Sequence, residues 1–301
     1  MKLQKKLQNV FARLVSTSVK KKSERLILGV AIVTYIIHLL LIALASIGVI
    51  SIESKFLNNP ISAIYTPFSF ILLYEVYLLI FYLPKSISYY IGKQYEIITL
   101  IVIRRIFKDI GTLELTSNWF QISSDLQFTY DALTSIILFG LILLFYRNTE
   151  RSVAMGETEV VEKEDRIYQF IQLKRIISTA LVPILFLLAA YSLIDWGCTV
   201  VLDNLNGIAA FKNINNIFFD EFFTILIVVD VLLLLLSFFY TDQFHKIIRN
   251  SGFVISTILI KISFSVDGLV NNALIIGAVL FGLVIMYIHN LYESRGIQSN
   301  A

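Results

Sequence analysis

Apolar segments of about 20 residues recur along most of this chain, and they restrict its fold more than any other feature. A helix needs about 20 apolar residues to cross the hydrocarbon core of a bilayer, where every backbone polar group must be hydrogen-bonded within the segment itself. Hydrophobic residues make up 57% of the 301 residues, a larger share than soluble domains have. The sequence therefore predicts an all-α, polytopic membrane protein.

We predict about eight transmembrane helices from these segments. They cover residues 26–50, 62–83, 88–110, 128–146, 176–196, 221–240, 252–266 and 269–287. The third and seventh segments have short apolar stretches and carry charged residues. They either cross the bilayer or enter it as re-entrant or half-buried helices.

The two halves of the chain share a pattern. Residues 70–147 and 223–290 each contain an acidic residue in one apolar segment, a basic residue in the next, and a Leu-Phe-Gly-Leu sequence in the last. The corresponding charged residues are Glu75 with Asp230 and Arg105 with Lys261. A pattern that recurs in the same order predicts an internal repeat. Because each repeat would contain four helices, both copies would have the same orientation in the membrane, as parallel repeats do.

The repeat predicts the domain organisation. A first four-helix membrane unit is expected at 26–147 and a second at 173–292. A charged cytoplasmic linker at 148–172 joins them, and its alternating charges are typical of a solvated segment. A basic flank at 1–25 precedes the first unit, and a cytoplasmic tail at 293–301 follows the second.

The distribution of basic residues supports this path through the membrane. With the N-terminus in the cytoplasm, the five inner segments contain 8, 2, 6, 2 and 1 Lys or Arg in chain order, whereas the outer loops contain only Lys55 and Lys212. Cytoplasmic loops of membrane proteins carry such an excess. We therefore expect both termini in the cytoplasm, and we expect the membrane to be a bacterial cytoplasmic membrane.

The basic flank at 1–25 suggests a lipid partner. Leu3, Leu7, Phe11 and Leu14 fall at helical spacing among lysines, a pattern typical of an amphipathic helix lying on anionic lipid headgroups. The alternative is a disordered flank whose charges only set the topology. No nucleic-acid-binding motif accompanies the charge, so nucleic acid is not an expected partner.

Charged residues within the predicted spans are the strongest chemical signal. An unpaired charge at the bilayer centre costs about 2.5 to 3.5 kcal/mol, so an acid on one helix is expected to meet a base on the next. The predicted pairs are Glu75 with Arg105 and Asp230 with Lys261, and the secondary residues, expected to extend outward, are Arg104 and Lys108. Such pairs either line a polar pathway or fix the register of neighbouring helices.

Two classes of function follow from these alternatives. The first is a channel or transporter for an ion or a small solute, with its pathway near the charge pairs. The second is a membrane scaffold or anchor that transports nothing and whose charge pairs are structural.

Enzymatic chemistry has little support in the sequence. The chain has no glycine-rich phosphate loop, one cysteine and three histidines. His38, His245 and His289 are not expected at matching depth in the membrane, as metal ligation would require. We therefore predict no metal site and no cofactor, and an enzyme is the less favoured class.

Overall fold

The computed structural model describes residues 15–48, 63, 65–110, 123–156, 164–202, 207–240, 243–266 and 268–295. Within these ranges the chain forms eight helices and no strand. The helices are α1 (Thr17–Ser46), α2 (Tyr65–Tyr82), α3 (Ile87–Ile110), α4 (Ser123–Gly156), α5 (Glu164–Leu202), α6 (Gly207–Ser237), α7 (Phe244–Ser263) and α8 (Gly268–Ser294). The prediction of an all-helical chain is confirmed, and each predicted apolar segment overlaps one helix. The predicted amphipathic helix at residues 3–14 lies outside the described residues.

Four of these helices contain segments long and apolar enough to cross a membrane, among the residues that the structure describes. They are Thr17–Ser46, Asp125–Glu150, Tyr168–Leu188 and Gly268–Ser294. They correspond to the first, fourth, fifth and eighth predicted spans. The prediction of a membrane protein is supported at this level, and the full count of eight spans stays a prediction.

Large apolar side chains on the outside of these helices also suit a lipid environment. Only 11% of the most apolar stretch of α1 is buried against the rest of the chain. On α4, Phe139 is 75% exposed, and on α5 Leu187 is 70% exposed. Apolar surface on this scale is unfavourable in water and favourable in a bilayer.

The chain divides into two compact units that do not follow the two sequence halves. Unit 1 comprises Met1–Phe81, Arg104–Phe128 and Ser178–Phe223, and unit 2 comprises Tyr82–Ile103, Thr129–Ile177 and Thr224–Ala301. Each unit thus draws residues from both sides of the predicted linker at 148–172. The predicted units at 26–147 and 173–292 stay a prediction from the sequence pattern.

The core of unit 2 is aromatic where α3, α4 and α7 meet. The ring of Phe145 on α4 lies edge-on to Tyr95 of α3 at 5.1 Å and to Phe253 of α7 at 5.7 Å. All three side chains are fully buried. Edge-to-face packing at these distances adds to the stabilisation from burial of the rings.

A hydrogen-bonded chain of buried groups joins α3, α7 and α8 beside that core. The hydroxyls of Tyr95 and Ser256 are 2.8 Å apart, and the Ser256 hydroxyl donates to the Ala278 carbonyl oxygen at 2.6 Å. Gly282 lies against the same hydroxyls, because a Cβ atom there would overlap the Tyr95 oxygen. The glycine of the second Leu-Phe-Gly-Leu sequence thus allows a close approach of α8 to α3.

The corresponding glycine of the first Leu-Phe-Gly-Leu sequence has a different environment. Nothing lies within 4 Å of a Cβ placed on Gly140. Around it, Leu138 is buried and Phe139 exposed, whereas at the second copy Leu280 is exposed and Leu283 buried. The two copies therefore present different faces to their surroundings.

Candidate functional site

Unit 1 contains a buried ion pair between α2 and α3. The Arg104 guanidinium donates from Nη2 to the Glu75 carboxylate oxygen Oε2 at 2.7 Å. Glu75 is 4% exposed and Arg104 is 7% exposed. An ion pair shielded in this way from solvent fixes the position of α2 against α3.

The partner of Glu75 differs from the predicted one by a single position. The sequence pattern predicts Arg105, but consecutive residues of a helix point about 100° apart, so Arg104 and Arg105 cannot both face α2 in the same way. The sequence places two arginines side by side and gives no direct indication of which one faces the acid. The Lys108 side chain lies outside the described residues.

Unit 2 contains a second buried acid, Asp230 on α6, which is 5% exposed. Its two carboxylate oxygens accept hydrogen bonds from different side chains of α3. The Tyr90 hydroxyl donates to Oδ1 at 3.1 Å, and the Gln94 amide donates from Nε2 to Oδ2 at 3.0 Å. The donors closest to this acid are thus neutral, in contrast with the guanidinium that Glu75 binds.

Lys174 on α5 supplies a positive charge to the same region of unit 2. It is 3% exposed, and its ammonium is near enough to Asp230 for the two charges to attract. The ammonium itself donates to the Lys85 carbonyl oxygen at 3.1 Å and lies 5.0 Å from the centre of the Phe170 ring. Asp230 and Lys174 therefore attract each other over a distance, while each group contacts its own neutral partners. We call Asp230, Tyr90, Gln94 and Lys174 the Asp230 centre.

Lys261, the predicted partner of Asp230, lies elsewhere on unit 2. Its ammonium donates to the Thr224 hydroxyl of α6, close to two turns before Asp230 along that helix. The predicted pairing of α6 with α7 through these charges is therefore not the arrangement in the structure. Helix α3, not α7, supplies the donors to Asp230.

Two histidines meet at the ends of α7 and α8. The rings of His245 and His289 are stacked with centres 5.1 Å apart and planes 25° apart. The His289 Nε2 atom lies 2.9 Å from Arg249 Nη1 and 3.2 Å from the Glu293 carboxylate. We call His245, His289 and Glu293 the histidine cluster.

This arrangement corrects our expectation that the histidines would not lie at matching depth. Helices α7 and α8 are joined by a short turn after Ser263 and pack against each other. His245 and His289 lie at nearly equal sequence distances from that turn, so an antiparallel pair of helices brings them together. Counting outward from the turn would have found this cluster in the sequence.

Burial lowers the pKa values of basic groups at the histidine cluster. Burial, together with the positive charge that His289 would carry, lowers the pKa of His245, so its imidazole is neutral at neutral pH. Burial also lowers the pKa of Arg249 to about 10, although Glu293 opposes this. The Arg249 guanidinium consequently remains charged at neutral pH and is the positive group that contacts His289.

A partly exposed lysine in unit 2 lies among tyrosines. The Lys93 ammonium contacts the Glu96 carboxylate at 2.7 Å. It also lies 5.4 to 5.5 Å from the ring centres of Tyr82, Tyr89 and Tyr146. An ammonium over several aromatic faces is typical of a cation held at the boundary of apolar and polar surroundings.

Over the residues that the structure describes, the fold and these centres define an all-helical protein with four helices suited to cross a membrane and with buried charged groups. Comparisons with known protein families, with curated proteins and with solved structures find no match to this chain. Its function is accordingly inferred from the chemistry of its own residues.

Proposed function

We propose that this chain is a multi-pass protein of a bacterial cytoplasmic membrane that moves an ion or a small solute, with the Asp230 centre as its binding site. The single observation that carries the proposal is the environment of Asp230. A carboxylate is buried on a predicted transmembrane helix and is bound by Tyr90 and Gln94. Intramembrane ionisable residues that face the interior of a bundle are commonly part of ion or substrate pathways.

The chemistry of the Asp230 centre suits exchange of a proton or a small cation. The hydroxyl and the amide that bind Asp230 each offer a lone pair as well as a hydrogen, so they can remain near the carboxylate when its charge is neutralised. Lys174 balances the negative charge when no other cation is bound. A cation that enters the centre therefore competes with an ammonium that has a second partner, the Lys85 carbonyl oxygen.

The test is a flux measurement on the full chain reconstituted in liposomes, with imposed gradients of protons, Na⁺ or K⁺. Asp230→Asn removes the charge and keeps the size of the side chain, and we expect it to abolish flux while the protein still folds. Glu221→Gln is the matched control, because Glu221 is an exposed acid on the same helix. It should leave flux unchanged.

A scaffold that transports nothing is the second candidate function. The observation that favours it is the Glu75–Arg104 pair. Its direct 2.7 Å contact joins two helices and leaves no room for an ion between the two contacting atoms. If liposomes containing the wild-type protein show no flux with any of the three gradients, or if Asp230→Asn has wild-type flux, the transport proposal is wrong. The buried charges would then be structural.

A further inference from the structure

The histidine cluster at the ends of α7 and α8 has the composition of a metal site. His289 and Glu293 are four residues apart on α8, a spacing that places both side chains on one face of a helix. His245 reaches the same place from the first turn of α7. The potential ligand atoms of the three residues all lie within 4.8 Å of one another.

Small side-chain rotations bring these atoms to coordination distance. Zn²⁺ binds imidazole nitrogen and carboxylate oxygen at about 2.0 to 2.2 Å in a tetrahedral arrangement, so two ligands of one ion lie about 3.3 to 3.6 Å apart. The potential ligand atoms lie within 4.8 Å of one another, so they have to move closer by at most about 1.5 Å. Glu293 and His245 are half-buried, so their side chains have room to adjust.

His289 offers a nitrogen lone pair in either tautomer. If His289 Nε2 accepts a hydrogen bond from Arg249, its lone pair already faces a cation. The same nitrogen lies 3.2 Å from a carboxylate oxygen of Glu293. If Nε2 instead carries the hydrogen, the lone pair is on Nδ1, which is buried and has no hydrogen-bond partner among the described residues. The side chain as a whole is only 2% exposed, so an unused lone pair here is unfavourable.

We propose that His245, His289 and Glu293 bind a divalent transition-metal ion such as Zn²⁺, Co²⁺ or Ni²⁺. Two imidazoles and one carboxylate suit these ions better than they suit Mg²⁺ or Ca²⁺, which prefer oxygen ligands alone. Three protein ligands leave a coordination position for water or another ligand. The proposal is independent of transport through the Asp230 centre.

Arg249 is the resident cation that the metal displaces. Its guanidinium contacts His289 Nε2 at 2.9 Å and also donates to the Asn250 side-chain oxygen at 3.2 and 3.3 Å. Those bonds to Asn250 give the guanidinium a position to retain when it leaves the imidazole. Removal of the arginine charge should therefore strengthen metal binding, whereas removal of any ligand should weaken it.

The experiment is titration of the purified full-length protein in detergent with Zn²⁺ by calorimetry, and with Co²⁺ by visible absorption. The wild type should bind one ion per chain. His245→Ala and Glu293→Gln should each weaken binding about 10-fold or more, and His289→Ala should do the same. Arg249→Gln should strengthen it several-fold.

His38→Ala is the matched control, since the His38 ring lies 2.6 Å from the Thr66 hydroxyl in unit 1. It should bind like the wild type, and so should Asp230→Asn, which separates this site from the proposed transport site. If His289→Ala does not fold, His245→Ala and Glu293→Gln retain the test. Wild-type affinity in both of these variants would overturn the proposal, as would failure of the wild type to bind either ion.

Discussion

At the scale of single residues, buried charges in this chain are held by partners of two kinds. Glu75 contacts a guanidinium, and an ion pair of that kind is strongest while both groups remain charged. Asp230 contacts a hydroxyl and an amide, with an ammonium further away. We infer from this difference that Asp230 is the acid suited to exchange its counterion and that Glu75 is structural.

The structural role of Glu75 predicts strong coupling to Arg104. Glu75→Gln or Arg104→Gln should each reduce the free energy of unfolding by about 3 to 5 kcal/mol, because each leaves one buried charge without its counterion. The double variant should lose less than the sum of the two. The measurement is unfolding in mixed micelles with increasing SDS, analysed as a double-mutant cycle.

Glu96→Gln is a suitable control for that cycle, because Glu96 forms a more exposed ion pair with Lys93. It should cost less than about 1 kcal/mol. Additive effects of Glu75→Gln and Arg104→Gln would show that the 2.7 Å contact contributes no coupling energy.

The two glycines of the repeated Leu-Phe-Gly-Leu sequence should respond in opposite directions to the same substitution. Gly282→Ala should destabilise by about 1 to 3 kcal/mol or more, since the new methyl group overlaps a Tyr95 hydroxyl that is buried and bonded to Ser256. Gly140→Ala meets nothing and should stabilise α4 by about 0.5 to 1 kcal/mol. Midpoints of thermal unfolding in detergent measure both.

A variant of Tyr95 tests why Gly282→Ala should be destabilising. Tyr95→Phe removes the overlapping oxygen, so the double variant Gly282→Ala with Tyr95→Phe should recover part of the stability lost by Gly282→Ala. If Gly282→Ala and Gly140→Ala instead change stability by equal amounts, the conclusion that the two glycines have different environments is wrong.

At the scale of helices, the sequence predicts where each helix lies but not which residues meet. Length and hydrophobicity are local properties, and they locate all eight helices. Partners depend on rotation about each helix axis, and a helix that faces lipid is apolar all round, so the pattern carries little information about rotation. The sequence therefore indicates Glu75 and Asp230 as the buried acids, but it does not indicate that Arg104 and Gln94 bind them.

Neutral donors are the residues that sequence reasoning misses most easily. Tyr90 and Gln94 are four residues apart on α3, a spacing that places both on one face. Nothing in their chemistry demands a partner as a charge does, so the sequence gives no direct signal. The useful signal is indirect: a buried carboxylate needs donors from a neighbouring helix, and α3 has both a hydroxyl and an amide on one face.

The face of α4 that packs inside unit 2 can be tested with two phenylalanines. Phe145 is fully buried between Tyr95 and Phe253, whereas Phe139 is 75% exposed. Phe145→Ala should cost about 3 to 5 kcal/mol, because it removes a ring from a packed core. Phe139→Ala should cost less than about 1 kcal/mol. Unfolding by SDS in mixed micelles compares the two variants. Similar losses of unfolding free energy would show that the buried face of α4 is assigned wrongly.

At the scale of the whole molecule, the path through the membrane depends on α3 and α7. Within the part of the chain that the structure describes, α2, α3, α6 and α7 are not among the four helices suited to span a membrane. Of these, α3 and α7 carry charged and polar groups and bury much of their surface. Protein surroundings permit polar groups at membrane depth that lipid does not. That α3 and α7 cross the bilayer stays a prediction, and it requires other helices to cover their charged and polar side chains.

The linker at 148–172 decides between this path and one in which α3 is re-entrant. If α3 crosses the membrane, the linker is on the same side as the termini. If α3 and α7 both return to the side on which they enter, the linker is on the side opposite to the termini. The C-terminus is on the same side in both paths. With α2 and α4 crossing as predicted, the sidedness of this one segment therefore reports whether α3 spans.

Labelling of single cysteines with an impermeant maleimide in sealed, right-side-out vesicles measures that sidedness. In a Cys198→Ser background, Asn58→Cys should react from outside, whereas Thr158→Cys and Ser299→Cys should react only after the vesicles are opened. Asn58 and Ser299 are controls, because both paths place them on the same respective sides. Reaction of Thr158→Cys in sealed vesicles would show that the eight-helix path is wrong.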